Sequence, residues 1–264
     1  MDGNTEVAYR QVMLDAVPTL DRWRRRVQQL EQPERGSELH ADDQAFPEFP
    51  ISQLARQLLA FGGEHLRLAV SGLSGGMYPS AHYTVLRGAL VGSAQAVWIL
   101  APDDSPTRRE RGMRVLGEAY KQLAVFHRDT RRLAQLDGEQ RQELDDHVAW
   151  IGERAAKLGG LRTSKAVLNL TSDVIPEAAA VIYRDQTRRV DAVLLWRQMS
   201  GDAHSMSWPI VMRAQGQVVD HDRRTGMATF AATGTMQAIA QPFKLSLDLL
   251  QRGWSLFDRR CEGR

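Results

Sequence analysis

Cysteine is almost absent from this 264-residue chain, and the one present, Cys261, lies near its C-terminal end. A single thiol excludes a disulfide framework within the chain and a cysteine-based metal site. A reducing compartment, the cytoplasm, is the expected location. Lysine is also scarce. Lys121, Lys157, Lys165 and Lys244 are the only four, and arginine supplies the rest of the 34 basic residues. The 32 acidic residues nearly balance them, leaving a formal charge of +2. That excludes a surface that binds nucleic acid over its whole extent. Long apolar runs are missing too. The most apolar stretch, Leu86 to Ala101, is shorter than a membrane span and carries Arg87 and Gln95. The first thirty residues mix charged and apolar groups without an export-signal core, so no membrane partner is expected.

The common catalytic signatures are missing as well. The chain has no GxxxxGK[ST] loop, GxGxxG turn or HExxH pair, and its GxSxG spacing at Gly72-Leu73-Ser74-Gly75-Gly76 follows a helical stretch, not the strand of a nucleophile elbow. Its histidines, at 40, 65, 82, 127, 147, 204 and 221, show no metal-ligand spacing. The expectation is therefore no metal and no cofactor. SGLSGG at 71–76 reads as a helix end.

What the sequence does have is helical periodicity. Apolar residues recur at spacings of three and four, which predicts helices over 5–30 (interrupted at Pro18), 51–73, 80–100, 106–136, 138–158, 187–205 and 234–258. Ser105 is a candidate N-cap, and shorter helices or turns are expected at 164–170 and 172–183. The final helix has a clean stripe of Met236, Ile239, Phe243, Leu247, Leu250, Trp254 and Phe257. Gly88, Gly92, Ser93, Ala94 and Ala96 would let a neighbouring helix approach closely. Residues 210–232 change to β-branched and apolar residues between glycine and charged turns, the pattern of a small hairpin. Residues 1–50 read as a helical segment followed by an acidic, proline-containing linker, either disordered or wrapped round the domain. Residues 51–264 read as the bundle. The fold class is all-α: a multi-helix bundle with a small β-hairpin insertion.

Two arginine clusters have both a bland and a sharp reading. RWRRR at 22–26 reads as a solvated helix face with Trp23 turned inward, against a nucleic-acid patch. Arg108, Arg109, Arg111 and Arg114 read as solvated surface, against a contact to an RNA backbone.

The stretch LLWRQMSGDAHSMSW, 194–208, carries the one arrangement that suggests chemistry. Arg197 and His204 are seven residues apart, two helical turns, and project to nearly the same side. Val190, Val193 and Leu194 extend that side upstream, and Ser200, Gly201 and Ala203 leave room beside the pair. A guanidinium on such a stripe needs a partner: a carboxylate, helix-end carbonyls, a second subunit or a phosphate. Arg35/His40 and Arg141/His147 have similar spacing without that setting.

An arginine followed after four to six residues by a histidine is the signature of the HEPN superfamily, which the chain resembles at Arg197-Gln-Met-Ser-Gly-Asp-Ala-His204. The resemblance implies a helical bundle whose motif is a metal-independent ribonuclease site formed where two subunits meet. In it His204 would move protons and Arg197 would hold the phosphate. Gln198 stands where the family commonly has Asn, Asp or His. Gln198, Ser200, His82 and Arg87 are candidate substrate-binding residues, with His82, Tyr83 and Arg87 expected to face the same cavity as His204. The chain is also similar over about 79–208 to helical actinobacterial proteins that combine TxLR (Thr84–Arg87), a tryptophan before a helix-ending proline (Trp98, Pro102) and RxxSxxAH (Arg197–His204). Those proteins often have a glutamate where this chain has Val91. They carry no established activity, so the likeness speaks to fold.

Two readings follow. In one, the protein is an HEPN-like endoribonuclease of toxin or phage-defence type, a homodimer acting on RNA and controlled by a small antitoxin or regulatory protein. In the other, it is a non-catalytic interaction protein, and Arg197 and His204 are structural hydrogen-bonders tying helices together. Exposure separates them: a catalytic pair must open to a phosphodiester, whereas a structural pair would be sealed.

Overall fold

A computed structural model describes residues 3–133, 135–213, 217–231 and 235–263. Within them the chain forms helices α1 (Gly3–Asp15), α2 (Val17–Val27), α3 (Glu38–Asp43), α4 (Ile51–Gly72), α5 (Pro79–Leu100), α6 (Ser105–Thr130) and α7 (Gly138–Leu161). A π-helical turn at Leu170–Val174 leads into α8 (Ile175–Ile182), α9 (Gln186–Ala203) and α10 (Trp208–Arg213). Strands β1 (Gln217–Asp222) and β2 (Met227–Ala231) precede α11 (Met236–Cys261). This is the expected all-α bundle with one antiparallel hairpin. Residues 214–216 and 232 of the predicted hairpin segment, Ala134 and Gly234 lie outside the described residues. No helix is long and apolar enough to cross a membrane, among the described residues.

The axis of the bundle is α5. From Ala89 to Leu100 it has no charged residue, and nearly every side chain there is buried. A helix apolar on all sides must be covered on all sides, and α4, α11, α9, α8 and α6 all pack against it. The approach of α4 is very close. A Cβ at Gly92 would stand 2.7 Å from the Leu58 carbonyl oxygen, and one at Gly62 would stand 2.5 Å from Ser93 Oγ. The small residues expected to admit a neighbour do admit one. α11 covers another flank with the predicted stripe. Trp254 stacks on Trp23 at 6.3 Å, with the Arg26 guanidinium 4.5 Å from its ring centroid. Trp23 is thus turned inward, and Arg22, Arg24 and Arg25 are exposed.

Residues 31–50 wrap the domain. They form α3, which periodicity did not predict, and bury Leu39 and Phe46 in the common core. Asp42 is fully buried and accepts from Arg108 Nε at 2.6 Å. Glu38 bridges Arg108 (3.0 Å) and Arg260. Arg260 also donates to the carbonyls of Leu100 and Pro102, at 2.7 and 2.8 Å. The expectation of a solvated arginine cluster therefore fails at Arg108, whose side chain is 2% exposed. Arg111 and Arg114 are ion-paired with Glu177 and Glu110. A buried charge survives only when paired. The carboxylates that hold Arg108 and Arg111 come from segments too distant in sequence for local pattern to reveal, whereas Glu110 lies one helical turn from Arg114.

Other boundaries shift for local reasons. Asp104, not Ser105, caps α6, accepting from the Thr107 amide at 2.8 Å. α6 stops at Thr130, before the predicted 136. Residues 164–169 are not helical, and Asn169 instead caps the π turn. β1 and β2 pair from Gln217↔Ala231 to Asp222↔Met227, with an irregularity between Val218 and Asp220. Gly226, at φ 71°, takes the left-handed position of the turn.

The close approach predicts opposite signs for the same substitution. Gly152→Ala in α7, which meets nothing within 4 Å, should stabilise by up to about 1 kcal/mol through helix propensity. Gly92→Ala should destabilise by about 1–3 kcal/mol despite the same propensity gain, because its methyl meets backbone. Urea unfolding of the two variants checks this.

Candidate functional site

α9 starts at Asp185, whose carboxylate accepts from the Thr187 amide, and ends in a defined stop. Ser205 has φ 55°, its amide bonds the Asp202 carbonyl, and the Met206 amide bonds the Gly201 carbonyl, both at 2.9 Å. This is a Schellman closure with serine in the left-handed position usually taken by glycine. His204 is the C-cap residue. The chain then folds back so that Pro209 and Trp208 lie over Gly201, where a Cβ would stand 2.5 Å from Pro209 Cγ and 3.0 Å from Trp208 Cζ2. Gly201 is required by this return, and not as space between Arg197 and His204.

The face that α9 buries is not the predicted one. Ala192, Trp196, Met199 and Asp202 are buried. Val190 and Leu194 are 47% and 52% exposed, and Arg197 and His204 are exposed with them. The pair does share one side of the helix, about 10 Å apart along its axis, but that side faces solvent. The physical reason is that α9 spreads apolar residues round its circumference, and Trp196 and Met199 bury more surface than the valines while leaving the guanidinium hydrated. Among the described residues, neither the Arg197 nor the His204 side chain has a hydrogen bond, ion pair or ring contact.

The other candidates fall into three places. Arg87 reaches from α5 to α9: its guanidinium lies 4.8 Å from the Trp196 ring centroid, and its Nε donates to Ser200 Oγ at 3.2 Å. Ser200 is one turn from both Arg197 and His204, so Arg87 and Ser200 flank their strip. On the other flank is Trp208, 42% exposed over Gly201. Pattern did not select Trp208, because only the fold-back brings it there. Gln198, about 100° round the helix from Arg197, faces a separate cleft. His82 is buried at the first turn of α5, with Nδ1 3.0 Å from the Tyr78 carbonyl oxygen and its ring against Gly72. The expected sharing of one cavity by His82, Tyr83, Arg87 and His204 is therefore not found. Tyr83 turns into the cleft, Arg87 onto Trp196, and His82 toward the α4–α5 connection.

The cleft has a volume of about 690 Å³ and is walled by α1, α9, α10 and α11, with Tyr83 of α5 on its lining. At its base Arg213 makes a two-point ion pair with Asp202, one arm at 2.7 Å, and lies 4.1 Å from the Tyr83 ring centroid. Tyr83 donates to the Ala238 carbonyl at 2.9 Å. Burial pushes its phenol up from 10 to about 12. No group of three or more His, Cys, Asp and Glu side chains is placed to hold a metal ion, among the described residues.

Comparison with protein-family models, with curated proteins and with solved structures yields no match.

The raised phenol makes a prediction with a definite sign. The fold favours neutral Tyr83, so the resulting stabilisation is intact below pH 10 and is lost as the pH rises from 10 toward about 12. Ultraviolet titration should show a tyrosine ionising near 12 that disappears in Tyr83→Phe. Ionisation of Tyr83 near 10 would contradict the burial argument.

Proposed function

We propose that this protein is a metal-independent endoribonuclease of the HEPN-like kind, with its site on the exposed strip of α9. The observation that carries the reading is that Arg197 and His204 are both open to solvent and unengaged by described protein groups, while a second helix delivers Arg87 to Ser200 between them. Such exposure argues against the alternative in which the pair ties helices together. Side chains that serve packing are covered and hydrogen-bonded.

The chemistry needs no external nucleophile. The RNA 2′-oxygen attacks phosphorus as its proton passes to an imidazole, and the bond from phosphorus to the 5′-oxygen breaks as that oxygen takes a proton. The products are a 2′,3′-cyclic phosphate and a 5′-hydroxyl. His204 carries one of these protons, and Arg197 and Arg87 stabilise the charge on the phosphoryl oxygens. The exposed Trp208 ring offers a face on which a base stacks. One histidine does one of the two proton transfers. A homodimer supplies the second from the partner's His204, and the exposed Val190 on the same side of α9 gives that dimer an apolar contact. A small antitoxin or regulatory protein covering the strip would restrain the activity, and the cytoplasm supplies the RNA.

The test incubates total RNA with the protein and EDTA, beside His204→Ala and Arg197→Ala. Both residues are exposed, so stability should change by no more than about 0.5 kcal/mol. The reading predicts cleavage with the chelator present, reduced by a factor of about 100 or more in each variant. Absence of cleavage by the unaltered protein, or equal cleavage by His204→Ala, would overturn it.

A further inference from the structure

The cleft beside the strip is a second surface of α9, and the ribonuclease reading does not use it. Its volume, about 690 Å³, is that of a small-molecule site. The lining has two chemical halves. Val12, Leu194 and Met212 give an apolar side, and all three are unusually exposed for residues of their type. The amides of Gln198, Gln237 and Gln241 also line it, none with a hydrogen-bond partner among the described residues. Converging polar groups without partners, beside uncovered apolar side chains, make an amphipathic receptor.

The charges select the ligand further. Among the described residues three cations line the cleft, and two are already occupied. Arg213 is held by Asp202, and Lys244 is held by Asp248, which also accepts from Tyr183 Oη at 3.0 Å. The third, Arg188, has only the Tyr183 ring, 5.3 Å from its guanidinium carbon. Its donors are free for an oxyanion. Asp191 also lines the cleft, and its carboxylate suits a donor group on the same ligand.

We propose that this cleft binds an amphipathic organic anion: an aromatic or acyl body against Val12, Leu194 and Met212, a single anionic head on Arg188, and polar groups met by the glutamine amides. This assignment stands independently of the ribonuclease reading.

The probe is 1-anilinonaphthalene-8-sulfonate, an aromatic body with one anionic head, compared with neutral N-phenyl-1-naphthylamine. Fluorescence titration of the full chain should give saturable one-to-one binding of the sulfonate, about tenfold or more tighter than the neutral compound. Arg188→Gln should bring the two affinities close together. Gln241→Trp, which fills the cleft from α11, should abolish both. Arg188 and Gln241 are exposed, and thermal unfolding of each variant verifies that the fold is retained. Non-saturable binding, equal affinity of the unaltered protein for the two probes, or an unchanged response in either variant would overturn the proposal.

Discussion

The contact on which most of the structure depends is the one between Gly92 and the Leu58 carbonyl. At this point α4 and α5 touch backbone to backbone, which no side chain at Gly92 would permit. The contact holds α5 as an axis that five other helices cover. The covering helices bury its uncharged half, and the apolar area removed from water drives the assembly. The orientation of α5 decides where Arg87 goes. Only with α9 laid across it can the guanidinium rest on Trp196 and reach Ser200.

A second constraint closes the far end of the bundle. Arg108 and Arg260 are buried together, with Glu38 bridging them, Asp42 on Arg108 and helix-end carbonyls around them. Such a cluster adds little net stability, because desolvation offsets most of the attraction. Its effect is on register. Misplacing α3 or the end of α11 would strand a buried charge, so the N-terminal segment has one place to lie. The stop of α9 acts similarly at the candidate site. The left-handed Ser205 reverses the chain, the reversal sets Trp208 and Pro209 over Gly201, and the strip acquires an aromatic flank. α9 then presents two chemically different open surfaces, an arginine–histidine strip and an amphipathic cleft lined by Leu194 and Gln198.

The helices were legible because their apolar residues recur at three and four. The α11 stripe from Met236 to Phe257 packs as written, with only Leu247 less than fully buried. The glycines of α5 were legible as points of close approach for the same reason. What sequence could not reveal was phase and partnership. In α9 the valine–leucine stripe and the Trp196–Met199 stripe compete, and local spacing does not rank them; burial of the larger side chains does. Arg108 looked solvated because Asp42 and Glu38 are some seventy residues away and contact it only in the folded chain. Of the stretch Arg197–His204, Arg197 and His204 face solvent while Met199, Gly201 and Asp202 are buried, and His82 and Gln198 lie apart from the exposed pair. The Tyr83–Arg213–Asp202 cluster left no local signal at all, since three elements contribute one residue each.

The central claim is that the open face of α9 carrying Arg197 and His204 handles a phosphodiester. The most direct test is nuclear magnetic resonance of the histidine ring signals, with His204 assigned through His204→Ala, during titration with a 2′-O-methyl RNA oligonucleotide that cannot be cleaved. The account predicts that the oligonucleotide moves the His204 signals while those of buried His82 stay in place. An oligonucleotide that binds without moving His204, or that does not bind at all, would contradict it.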